Sequence, residues 1–84
     1  MSQENIKLDT IYSTQSLPLA TAISLWFPID SIDRTSPHKV SFLFQRNEQL
    51  DELIESFWRR EVRVEPLAYF NQLKVIKGRI YGER

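Results

Sequence analysis

Between Lys39 and Gln45 a strand-like alternation sends Val40, Phe42 and Phe44 to one side, the period of a half-buried strand. At Asn47 the period changes. Leu50, Leu53, Ile54, Phe57 and Trp58 fall at i, i+3, i+4, i+7 and i+8, which is one stripe of an amphipathic helix. A strand face and a helix stripe are each half of a core. The junction therefore predicts a small mixed domain in which sheet and helix cover one another.

Other elements follow from weaker signals. Thr10, Ile11, Tyr12 and Ser13 favour an extended chain, either an edge strand or the approach to a first helix. Ser16 is a fair N-cap, with Leu17 and Pro18 in the first turn, where proline lacks nothing by having no N–H. The helix is expected to run to Phe27 and stop at Pro28, with Leu19, Ile23, Trp26 and Phe27 as its apolar face.

Residues 29–34 read as a second strand, residues 35–38 as a turn holding Pro37, and residues 39–45 as the antiparallel partner. Asn47 caps the next helix, and Glu48, Asp51 and Glu52 suit its positive end. Glu55 and Arg59 are spaced for an i, i+4 pair. Residues 62–64 are too short for a sheet strand and read as a connector.

Glu65 and Pro66 open a last helix, in which Tyr69, Phe70, Leu73, Ile76 and Ile80 recur at helical spacing. Gly78 weakens its final turns and Gly82 ends it. The order is β-α-β-β-α-α. The prediction is one α+β domain over residues 10–82, a small antiparallel hairpin-based sheet with helices on one face. Residues 1–9 are polar and expected to be loosely ordered.

Eighty-four residues with ten aromatic side chains suffice for one core and leave no room for a second domain. The absence of cysteine removes disulfides, thiolate nucleophiles and cysteine-based metal sites. No basic segment followed by an apolar run opens the chain, and its longest apolar stretch, residues 25–29, is far short of a membrane span. A soluble, cytoplasmic protein without membrane contact is expected.

Catalytic constellations are hard to assemble from this inventory. The single histidine, His38, sits in the turn beside Pro37, and no glycine-rich phosphate loop, nucleophile elbow or paired-histidine zinc motif is present. Asp30 and Asp33 lie three apart on a strand and point to opposite faces, so with His38 they do not converge on a cation. Glu48, Asp51, Glu52 and Glu55 read as a solvated helix face. The expectation is a noncatalytic domain with no cofactor and no metal.

Charge adds one asymmetry. The net charge is zero, yet residues 1–58 hold four Lys/Arg against eight Asp/Glu, and residues 59–84 hold seven against three. Basic residues near helix C-termini account for this in part. The group Arg59, Arg60, Arg63, Lys74, Lys77 and Arg79, with Arg84 beyond it, also suits weak contact with nucleic-acid phosphates.

Three aromatic pairs, Trp26–Phe27, Phe57–Trp58 and Tyr69–Phe70, add another signal. Adjacent helical side chains diverge by 100°, so one ring of each pair is expected at a rim. Trp26, Trp58, Tyr69 and Tyr81 are the candidates for a protein contact, either self-association as a homodimer or docking of another protein. An accessory or interaction module is the favoured reading, with nucleic-acid binding as the alternative.

Over roughly residues 12–81 the chain resembles DUF5659, a family of small domains of unknown function in bacterial and phage proteins. The resemblance rests on Thr14-x-Ser16-Leu17-x-Leu19-Ala20, on Val40-Ser41-Phe42-Leu43-Phe44, and on Leu50-x-x-Leu53-Ile54-x-x-Phe57. Val64-x-Pro66-x-x-Tyr69-Phe70 and Leu73-Lys74 complete it. Family members often carry an acidic residue where Ser16 stands and a glycine after the first helix, where this chain has Phe27-Pro28. The matching positions are caps and core, so the resemblance implies the same element order and no catalytic residue.

Overall fold

The computed structural model describes residues 10–36 and 38–82. The loose segment expected over residues 1–9, the turn proline Pro37 and Arg84 lie outside them. Strand β1 (Ile11–Thr14) leads into α1 (Leu17–Ser24), and β2 (Ser31–Ser36) and β3 (Lys39–Gln45) form a hairpin. Helices α2 (Glu48–Trp58) and α3 (Pro66–Lys77) follow, and a π-helical segment, Gly78–Gly82, closes the domain. The predicted order β-α-β-β-α-α is the observed one.

β3 is the central strand, antiparallel to β1 on one side and β2 on the other. Register sets the faces. Tyr12 pairs with Phe44, and Thr14 and Ile32 flank Phe42, so these side chains share the inner face. Phe42 and Phe44 are fully buried there against Leu19, Ala20 and Ile23 of α1, Leu50 of α2 and Ile76 of α3. Val40, Leu53, Ile54, Phe57 and Ile80 pack around them. The outer face carries Ser13, Ser31, Asp33 and Gln45 in solvent. All helices therefore cover one side of the sheet.

α1 starts as predicted, with the Ser16 hydroxyl accepting the Leu19 N–H at 3.2 Å. It ends three residues early. Leu25 and Trp26 donate to the carbonyls of Ala22 and Ile23, three residues back, which tightens the last turn. The Ser24 hydroxyl also donates to the Thr21 carbonyl at 2.8 Å, and Pro28 keeps Phe27 from continuing the helix. Trp26 therefore leaves the helical phase of Leu19 and Ile23 and is 53% exposed, which corrects its assignment to the apolar face.

The second strand likewise begins two residues later than read and extends into the expected turn. Its pairing with β3 is irregular between Asp33 and Ser36, where the Asp33 carboxylate accepts the Thr35 N–H at 2.9 Å. That hydrogen bond holds the Asp33 carboxyl below its usual range.

Asn47 caps α2 through the Leu50 N–H at 2.8 Å. Leu50 is buried and Leu53, Ile54 and Phe57 follow inward, but Trp58 stands 62% exposed. It lies about 80° around the helix from Leu50, at the final turn, so it falls off the buried stripe. Glu65 caps α3 through the Ala68 N–H at 2.7 Å, with Pro66 at the first helical position. Gly78 does not stop this helix. The chain continues through it as a π-helical turn and ends at Gly82.

Candidate functional site

α3 carries apolar residues on two sides. Its inner side supplies Tyr69, Leu73 and Ile76, of which Ile76 is fully buried. Tyr69 is tied to α1, its hydroxyl donating to the Pro18 carbonyl at 3.1 Å. Burial raises its pKa, with an opposing contribution from the Thr21 hydroxyl. Gln72 donates to the Ser24 hydroxyl at 3.0 Å and fastens the same two helices.

The outer side presents Leu67, Phe70 and Val75, exposed by 63%, 52% and 55%. At 100° per residue these three, with Asn71 and Lys74, occupy one continuous sector of the helix opposite Ile76. The Lys74 ammonium lies over the Phe70 ring, 4.8 Å from its centroid, so its charge rests on the apolar strip rather than interrupting it. No sequence signal singled out Leu67 or Val75. An apolar residue at helical spacing reads as core until the inner side is seen to be full.

Each aromatic pair places one ring outward, but in the third pair it is Phe70 rather than the candidate Tyr69. Phe27, Phe57 and Tyr69 turn inward, and Trp26, Trp58 and Phe70 outward. Trp26 faces α2 across a cavity of about 420 Å³ lined by Phe27, Gln49, Glu52, Leu53 and Ser56. Trp58 meets Phe57 edge to face at 5.1 Å and, with Arg60 and Val62, borders a second cavity of similar volume. Of the four aromatic candidates, Trp26, Trp58 and Tyr81 are exposed, whereas the Tyr69 hydroxyl is engaged within the domain.

The basic residues form two groups. Arg59 sits between Glu55 at 3.5 Å and Glu61 at 3.6 Å, and Arg60 and Arg63 follow in the connector before α3. Lys77 and Arg79 stand at the other end of α3, about 16 Å further along its axis. The Arg79 carbonyl accepts a hydrogen bond from the Arg34 guanidinium, which ties the β2 irregularity to the π-helical segment.

Asp30 accepts from Gln45 at 3.2 Å and Asp33 from Thr35, so neither carboxylate turns towards a shared ion. Among the described residues no group of three or more His, Asp or Glu side chains is placed to hold a metal. No helix among them is long and apolar enough to cross a membrane.

The family model for DUF5659, a domain of unknown function, matches residues 9–82. No curated protein and no solved structure matches the chain.

Proposed function

The chain belongs to the DUF5659 family, and we propose that it is a noncatalytic interaction module that pairs with a second copy of itself through the outer face of α3. The observation that carries this reading is the exposed strip of Leu67, Phe70 and Val75 on a helix whose other side is already packed. A strip of this kind is costly to leave in water, and covering it is the ordinary resolution.

Helix dipoles favour a like partner in antiparallel arrangement. Glu65 caps the start of α3, and its last turn carries Lys74 and Lys77, while Arg60 and Arg63 stand in the connector before it, so cations lie at both ends. A two-fold axis near Asn71 sets Leu67 against Val75 of the second copy and opposes the two dipoles. Zero net charge leaves no overall repulsion between copies. The helix is about 18 Å long, so the contact is small and the pair should form only at micromolar or higher concentration.

Sedimentation equilibrium tests the reading. The wild-type chain should move from 10.0 kDa towards twice that mass as concentration rises. Phe70→Glu should remain monomeric with an unchanged circular dichroism spectrum, because a glutamate at this position forms a favourable i, i+4 pair with Lys74. A wild-type chain that stays monomeric at high concentration, or a variant that associates equally well, would refute the proposal.

A further inference from the structure

A cleft of about 320 Å³ opens where β3 begins and shares no residue with the outer face of α3. Its floor is apolar. Phe42 is buried at the bottom, and Leu17, Val40 and Ile80 are half-buried around it. Its rim is polar and exposed, formed by Gln15, His38, Lys39 and Tyr81. The π-helical turn builds one wall, placing Ile80 in the floor and Tyr81 at the rim. Such turns are rare and concentrate at functional sites.

Among the described residues the lining contains no carboxylate, and its fixed charge is the Lys39 ammonium. Gln15, His38 and Tyr81 add hydrogen-bonding groups around it. An apolar floor beneath one cation selects a ligand that is apolar over most of its body and anionic at one end. A single ammonium balances a single negative charge and leaves a phosphate dianion half-compensated. The volume lies at the small end for ligand pockets and suits a body about one ring across. We propose that this cleft binds a small organic monocarboxylate, its ring or short chain on Phe42 and Ile80 and its carboxylate against Lys39.

Benzoate, phenyl phosphate and benzyl alcohol are the probes, titrated into the ¹⁵N-labelled full chain and followed by amide shifts. Benzoate should give saturable shifts at Gln15, Lys39, Val40, Ile80 and Tyr81. Benzyl alcohol and phenyl phosphate should bind more weakly. Lys39→Gln, at an exposed position, should keep the spectrum and weaken benzoate about tenfold. Ile80→Trp, which fills the floor, should abolish the shifts.

The proposal is overturned by an absence of saturable benzoate shifts, or by benzyl alcohol binding as tightly as benzoate. It is equally overturned if phenyl phosphate binds at least as tightly, or if Lys39→Gln leaves the benzoate affinity unchanged. Should Ile80→Trp not fold, the Lys39→Gln comparison decides alone.

Discussion

Arg60 adopts a φ of 62°, a left-handed conformation that favours glycine. The reason lies in how α2 ends. The Glu61 N–H reaches the Ser56 carbonyl at 2.9 Å and the Arg60 N–H reaches Phe57 at 3.0 Å, the paired bonds of a Schellman motif. Its left-handed position normally holds glycine, so Arg60→Gly should raise stability by about 1 kcal/mol, read as a higher urea midpoint at unchanged slope. A lower midpoint would show that the arginine side chain contributes more than its backbone costs.

Tyr69 gives the residue scale a pH dependence. Burial raises its pKa, so the folded state favours the neutral phenol more than the unfolded chain does. The stability this provides is complete below the unfolded value near 10 and is lost as pH rises through that value towards the folded one. Wild type should therefore lose stability in that alkaline window, and Tyr69→Phe should show a shallower loss there. Parallel pH profiles would contradict the assignment.

At the scale of elements, cap chemistry and changes of period were legible in the sequence. Ser16, Asn47 and Glu65 all cap the helices they were read to open, because a capping side chain acts within three residues of itself. Strand β3 and the α2 stripe were legible for the same local reason. Legibility failed where the outcome depends on a neighbour. Whether Leu67 and Val75 were core or surface could not be read from α3 alone, since its apolar residues surround the helix. Trp26 and Trp58 were read both as part of an apolar stripe and as rim candidates; each sits at a helix end, where periodicity no longer fixes direction, and each faces out.

The Arg60 turn left no pattern at all, since the position does not carry the glycine its backbone usually demands. The core itself is a firm expectation. Leu50, buried where α2 meets Phe42 and Phe44, should cost about 2–5 kcal/mol when changed to alanine. A domain of this length has only about 4–13 kcal/mol to lose. Leu50→Ala should therefore lower the urea midpoint sharply; a change under about 0.5 kcal/mol would mean that sheet and helices do not share one core.

For the whole molecule, the question is which surface is left to act. The cations divide between the two ends of α3, and Arg59 is flanked by Glu55 and Glu61. The outer face of the sheet carries Ser13, Ser31, Asp33 and Gln45 in solvent, with Ile11 and Leu43 half-buried among them. Among the described residues the large exposed apolar side chains lie on the helices or at their ends, and α3 carries a strip of three of them, Leu67, Phe70 and Val75. Pairing across that strip makes a geometric demand beyond mass: Asn71, at its middle and exposed, must approach Asn71 of the second copy.

The chain has no cysteine, so Asn71→Cys and, on the outer sheet face, Ser13→Cys each provide one labelling site. Pulsed electron-spin resonance on nitroxide-labelled protein measures the distance directly. At concentrations that saturate the pair, the label at position 71 should give a single short interspin distance and the label at position 13 a longer one. No intermolecular distance at position 71, or a shorter distance at position 13, would contradict the account.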